Sequence, residues 1–212
     1  MNRLLVSSGL WFLLTASSVL GSPVISIGTL QLLSIDAEQR IPIMVSSATN
    51  ETVEGVNMAV QIADGGAANG GMATEPRIIS LDLIGTGTIF NASNTGSTPL
   101  YLGTGTENDP PYLIALAETT TKSGNVVEAN GVLAYLTINT FGAALGSYRV
   151  NLQEVGKNVE NGPWTTDFAG TSATFPANDG WIVVVPEPST LLLLLIACGI
   201  CLCRRRLKLR GK

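Results

Sequence analysis

The side chains of this sequence best suited to chemistry are carboxylates. Asp36, Glu38, Asp82, Glu107, Asp109, Glu118 and Asp167 are spread along the chain, and two of them held about 5–9 Å apart would suffice for glycoside hydrolysis. Their spacing does not say which two would meet, and such residues on an acidic domain are mostly solvated surface charge. Other catalytic chemistry is restricted further. The chain has no histidine, and its cysteines, Cys198, Cys201 and Cys203, all lie near the C-terminus. That excludes Ser-His-Asp and Cys-His nucleophiles, imidazole proton shuttles, and zinc sites or disulfides within the central domain. A non-enzymatic protein is expected.

Oxygen ligands suit a hard cation better. The turns Asp64-Gly-Gly-Ala-Ala-Asn69-Gly-Gly and Glu107-Asn108-Asp109 make Asp64, Asn69 and Asp109 the candidates for calcium, the one cofactor the sequence leaves room for. Neither turn has the ligand spacing of an EF-hand, and turn chemistry alone accounts for both. Aromatic rings that face solvent would mark a sugar-binding surface. Most of Phe90, Tyr101, Tyr112, Tyr135, Phe141, Tyr148, Trp164, Phe168, Phe175 and Trp181 fall in strand patterns that read as core, which leaves Tyr101 and Trp164, in polar surroundings, to face outward. Asn50-Glu-Thr52 and Asn91-Ala-Ser93 match a glycosylation triplet, a pattern that chance supplies readily in a Ser/Thr-rich chain.

The elements that would position these residues are strands. A chain of 212 residues with 23 Gly and 10 Pro disfavours long helices, in which Gly costs about 1 kcal/mol and Pro about 3 kcal/mol against Ala. Val56, Met58, Val60 and Ile62 alternate with Asn57, Ala59 and Gln61, and Tyr148, Val150 and Leu152 alternate with Arg149, Asn151 and Gln153. That period of two places one face of each strand in a core. Further runs cover Val24–Leu33, Ile41–Val45, Arg77–Ile84, Tyr112–Glu118, Val132–Ile138 and Ile182–Val185. Asn130-Gly131, Ser123-Gly124-Asn125 and Asn178-Asp179-Gly180 supply the turns between them. Residues 85–111 read as long surface loops, where a binding function would sit. The expected fold class is all-β, a single β-sandwich over residues 22–184.

Charge is distributed unevenly. Arg204, Arg205, Arg206, Lys208, Arg210 and Lys212 crowd the C-terminus, and without them and Arg3 five basic residues face sixteen acidic ones. A centre this acidic repels phosphate backbones, so no nucleic-acid partner is expected.

Both ends read as addresses. Arg3, the apolar stretch through Leu10-Trp11-Phe12-Leu13-Leu14, and the small residues ending at Gly21 describe a secretory signal peptide over 1–21. At the other end Pro186-Glu187-Pro188-Ser189-Thr190 precedes an apolar run, Leu191 to Cys203, and then the basic cluster. A transmembrane helix over 190–203 would be short for a hydrocarbon core of roughly 30 Å. The positive-inside rule holds Arg204, Arg205 and Arg206 in the cytoplasm, with 208–212 as a basic tail and the domain outside.

Val185-Pro186-Glu187-Pro188-Ser189-Thr190, the short Leu-rich span and the arginine cluster together resemble the PEP-CTERM sorting domain of Gram-negative bacteria, over residues 185–207. The resemblance implies that Pro186, Glu187 and Pro188 are recognised by an exosortase, an integral-membrane cysteine transpeptidase that processes its substrates near this motif. It also implies transient residence in the inner membrane, followed by the cell envelope, surface or extracellular matrix. The prolines fix φ near −65° and bias the residues before them towards extended geometry, a shape a peptidase cleft accepts.

A second resemblance rests on strand patterning in Val53-Glu-Gly55-Val56-Asn57-Met58-Ala-Val60-Gln-Ile62, Gly131-Val-Leu133-Ala-Tyr135-Leu-Thr137-Ile138 and Gly146-Ser-Tyr148-Arg-Val150-Asn-Leu152. These segments are similar to strands of cohesin-like and carbohydrate-binding sandwich domains, which implies a nine-stranded jelly roll, and the apolar runs themselves fit eight or nine strands in one sandwich. The expected function is that of an exported, exosortase-processed envelope or matrix protein. Its expected partners are the secretion machinery, the membrane and extracellular polysaccharide or a surface protein, with a glycan- or protein-binding module as the alternative reading and a carboxylate hydrolase as a third.

Overall fold

The alternation in Val56, Met58, Val60 and Ile62 builds the central strand of the fold, and all four side chains are buried. A computed structural model describes residues 23–34, 38–64, 75–102, 113–157, 163–171 and 175–186. Among these residues every regular element is a strand: β1 (Val24–Ser26), β2 (Thr29–Leu33), β3 (Gln39–Ser46), β4 (Thr52–Val53), β5 (Gly55–Ile62), β6 (Arg77–Asp82), β7 (Thr98–Leu102), β8 (Ile114–Thr120), β9 (Val127–Glu128), β10 (Gly131–Asn139), β11 (Gly146–Asn151), β12 (Asp167–Ala169), β13 (Ala177–Asn178) and β14 (Gly180–Val185). The signal peptide and transmembrane helix expected from the sequence lie outside the described residues, and no helix among those described is long and apolar enough to cross a membrane.

Two sheets face each other. One has five strands in the order β13-β1-β3-β10-β6, the other has seven, β2-β14-β11-β5-β8-β7 with β12 also paired to β5, and β4 and β9 form a small ribbon. Between the sheets, Ile41, Ile43 and Val45 of β3 and Leu136 and Ile138 of β10 pack with Met58, Val60 and Ile62 of β5 and Ile182 and Val184 of β14 into one core. Fully burying a side chain of this kind contributes about 1.5–3 kcal/mol, so this one cluster carries most of the fold's apolar stabilisation.

The run expected as one strand over Val24–Leu33 is broken at Gly28, whose φ is +72°. The chain there leaves the five-stranded sheet and enters the seven-stranded one, so β1 pairs with β3 and β13 while β2 runs parallel to β14. Gly180 crosses this point so closely that a β-carbon would collide with the Gly28 carbonyl oxygen and Ile27 Cγ2. The Trp181 N–H donates to the Gly28 carbonyl at 2.9 Å.

Two further expectations need correction. Residues 85–111 are not all loop, since Thr98–Leu102 pairs along β8 as an edge strand; Pro99 is tolerated there because only one neighbour demands hydrogen bonds. The strand count also exceeds eight or nine, because β4, β9, β12 and β13 are only two or three residues long and leave no alternating pattern to read.

The outer face of β5 is buried as well. Ala59 and Gln61 are 1% and 9% exposed, because Val155, Gly156, Trp164 and Thr166 lie against this face of the sheet. Val155 and Trp164 exchange backbone hydrogen bonds at 2.8 and 2.7 Å. Their side chains close over Ala59, Ile114 and Leu116 as a second apolar cluster, with Leu100 at its border. Gly156, at φ +69°, lets the Trp164 ring lie against the backbone where a β-carbon would collide with it.

Candidate functional site

The sorting motif begins where the sheet ends. Val184 pairs with Gly146 of β11 and Val185 with Leu33 of β2, and the Ser34 N–H donates to the Val185 carbonyl at 3.1 Å. Pro186 follows directly and is exposed. Glu187, Pro188 and the cluster Arg204, Arg205 and Arg206 lie outside the described residues.

The loop between β10 and β11 borders this exit. The Thr140 hydroxyl donates to the Leu33 carbonyl and accepts from Gln39 Nε2 at 3.0 Å, which ties the loop to the end of β2. The Phe141 N–H donates to Asn139 Oδ1 at 2.7 Å, and the Tyr148 hydroxyl donates to the Ala144 carbonyl at 2.7 Å. Held in this way, the loop leaves Phe141 70% and Leu145 58% exposed.

Of the calcium candidates, Asn69 and Asp109 lie outside the described residues, and Asp64 is exposed at the end of β5. Its carboxylate faces Glu75, a residue the sequence did not single out. Glu75 is only 6% exposed, and burial pushes its carboxyl up to about 8. The Asp64 carboxylate adds to the rise by hydrogen bonding to the Glu75 acid and by its charge, while the Asp64 backbone opposes it. The shift favours the protonated form of Glu75 at neutral pH. Glu75 Oε2 has no hydrogen-bond partner among the described residues. Burial, then the charge of Glu75, raises the Tyr148 phenol. Among the described residues no three acidic side chains gather around one point.

Asp36, Glu107 and Asp109 are outside the described residues. Glu38, Glu118 and Asp167 are exposed. Asp82 is occupied: it accepts from the Ile84 and Gly85 N–H groups at 3.2 and 2.7 Å and pairs with Arg40 at 3.4 Å, whose guanidinium stacks 3.6 Å from the Tyr135 ring centre. Glu118 borders a polar groove of about 260 Å³ lined also by Thr95, Ser97 and Thr98. This groove lies in the stretch expected to hold a binding function.

The aromatic expectation is reversed. Tyr101 is half-buried against the core, with its hydroxyl accepting from the Leu81 N–H at 3.1 Å, and Trp164 is held by the second apolar cluster. Among the described residues the outward-facing rings are Phe141 and Trp181. Phe141 falls in step with the half-buried outer positions Tyr135, Thr137 and Asn139 of β10 rather than with the buried Leu136, Ile138 and Thr140, and the chain turns just beyond it at Gly142. Trp181 occupies the outer face of β14.

Residues 184–206 match the PEP-CTERM protein-sorting motif. The chain therefore carries the sorting signal expected from Pro186-Glu187-Pro188, which marks an exported protein handled by the exosortase system. No curated protein matches the chain in sequence. Among solved structures, the fold is similar to that of the sixth cohesin of scaffoldin B from Acetivibrio cellulolyticus, solved with a Cel5 dockerin, at 17% identity over 78% of this chain and 100% of that one, with a TM-score of 0.50. It is similar to the type I cohesin–dockerin complex from Clostridium thermocellum at 9% identity, 78% and 100% coverage and a TM-score of 0.50. A non-cellulosomal cohesin from the hyperthermophilic archaeon Archaeoglobus fulgidus matches at 12% identity, 80% and 96% coverage and a TM-score of 0.48. At these identities the likeness is one of fold, and the cohesin-like sandwich expected from strand patterning is the fold found.

Proposed function

We propose that this protein is a non-catalytic cell-envelope or matrix protein of a Gram-negative bacterium. A signal peptide over 1–21 exports it, the tail over 190–203 holds it in the inner membrane, and an exosortase processes it near Pro186, Glu187 and Pro188. The observation that carries this reading is the position of the joint. β14, hydrogen-bonded on both sides, ends at Val185, so a cut anywhere beyond Pro186 leaves every described strand in place. Absence of histidine, and of cysteine before Cys198, supports a role without catalysis. Intact-mass measurement of the protein from its native envelope tests the proposal. Loss of the residues after Pro188, or their replacement by a transferred group, is the expected result; a mature chain that retains Ser189 to Lys212 overturns it.

A second reading, a surface-displayed module that binds glycan or protein, is favoured by the groove along Thr95, Ser97, Thr98 and Glu118. Hydroxyls beside one carboxylate suit the hydroxyl groups of extracellular polysaccharide. Glycan-array binding lost in Glu118→Ala would support it. An empty array, together with an empty pull-down from the native envelope, would remove it.

A further inference from the structure

Phe141 and Leu145 are the two most exposed large hydrophobic side chains among the described residues. Soluble surfaces tolerate single apolar side chains, but these two share one short loop whose backbone is fixed on both sides, by Thr140 to Leu33 and by Tyr148 to Ala144. The loop also stands at a particular place. Leu145 precedes Gly146, which pairs with Val184, and Thr140 is tied to Leu33, which pairs with Val185. The apolar pair therefore borders the point where the chain leaves the sandwich for its tail.

Chain length fixes how far that end can stand from a membrane. Between Val185 and Leu191, the first residue of the apolar run, lie only Pro186 to Thr190. Even fully extended, that link reaches about 20 Å, and the headgroup layer occupies roughly 5–8 Å of it. With the tail in a bilayer, the rim of the domain must hover at or just above the headgroups. Phe and Leu are the residue types that bury in the headgroup–acyl boundary at such a surface. The charged groups near this rim are of both signs: exposed Glu38, beside the start of β3, exposed Arg77, paired in the ladder with Asn139, and exposed Asp64 with the buried Glu75 on the Tyr148 side.

We propose that Phe141 and Leu145 form a bilayer-contact rim that seats the domain on the lipid surface before processing and holds the Pro-Glu-Pro joint at a fixed height above it. The inference rests on the tail entering the membrane, as in the reading above, and commits to lipid rather than to a membrane protein as the surface contacted.

The test uses the full chain reconstituted in phosphatidylethanolamine–phosphatidylglycerol vesicles that contain phospholipid spin-labelled at acyl carbon 5. Phe141→Trp places a reporter on the rim, and Val126→Trp places one at the opposite end of β5, where Val126 is 52% exposed; each added emission is measured against the parent chain. The expected result is co-flotation of both variants with the vesicles, quenching of the added emission from position 141, which would sit at the headgroup–acyl boundary, and none from position 126. Co-flotation without quenching at 141, or with equal quenching at both positions, overturns the rim while leaving the tail reading intact. Absence of co-flotation overturns both. Because the vesicles contain no other protein, a rim that instead docks on the processing enzyme gives the unquenched result.

Discussion

The hydroxyl of Thr166 lies between the two backbone polar groups of Ala59, accepting from its N–H at 3.1 Å and donating to its carbonyl at 3.2 Å. β11 pairs with β5 only at Gln61 and Ile62, and β12 only at Gly55, Val56 and Asn57. Ala59 falls in the gap, and one side chain stands in for the missing strand. An unsatisfied buried backbone group costs about 1–3 kcal/mol. Thr166→Val, which keeps the shape and removes the hydroxyl, is expected to lower stability by at least that amount, and Thr166→Ser to restore most of it. Urea unfolding of the three proteins measures the difference; equal midpoints for parent and Thr166→Val would show that the hydroxyl does not serve the gap.

The Glu75–Asp64 contact predicts a pH dependence of definite sign. The folded Glu75 titrates at about 8 against 4.5 for the free side chain, so between those values the folded state holds a proton that the unfolded state has released. Stability is then fully present below pH 4.5 and is lost as pH rises towards 8, with a slope of at most about 1.4 kcal/mol per pH unit. The groups facing it, Asp64 and Tyr148, add no positive charge that would cancel the trend. Denaturant midpoints at pH 5 and pH 9 check it: the parent is expected to weaken between them, and Glu75→Gln, neutral throughout, to remove most of the difference.

What could be read from the sequence was what depends on near neighbours. Pro186-Glu187-Pro188 is a linear signal and needs no fold to be seen, and the period of two in Val56, Met58, Val60 and Ile62 follows directly from burying one face. The failures share the opposite property. Ala59 and Gln61 occupy positions that alternation assigns to solvent, and a segment about a hundred residues later covers them. Tyr101 is drawn inward by pairing with β8 and a hydrogen bond to Leu81, neither of which the polar stretches flanking Leu100-Tyr101-Leu102 announce. Glu75 follows a Gly-rich stretch, and the groups it interacts with, Asp64 and Tyr148, come near it only once β5, β6 and β11 are assembled.

Where the N- and C-terminal strands cross, the obstacle to a larger residue is mostly backbone. A methyl group at Gly180 would meet the Gly28 carbonyl oxygen, which cannot rotate away, as well as Ile27 Cγ2. Gly180→Ala is expected to cost about 1–3 kcal/mol through overpacking, which for a domain of this size lowers the melting temperature by roughly 2–4 °C per kcal/mol. A calorimetric melt of the variant gives the value. No change would indicate that β1 and β14 separate freely at this point.

The position of the joint at Val185 makes the final prediction a comparison of two truncations. Ending the chain after Pro188 removes no described strand and should leave a cooperative melt at the parent temperature. Ending it after Asp179 removes β14, and with it the register of Leu30, Leu32 and Leu33 of β2 and of Ser147 to Val150 of β11. The core then loses Ile182 and Val184, both buried, at about 1.5–3 kcal/mol each, before any hydrogen bonds are counted. The stability of such domains totals only about 5–15 kcal/mol, and two neighbouring strands lose their shared partner at the same time. The shorter chain is expected to give no cooperative transition by circular dichroism. A sharp melt from it would mean that the sandwich closes without its last strand, and that a cut upstream of Pro186 could also release a folded domain.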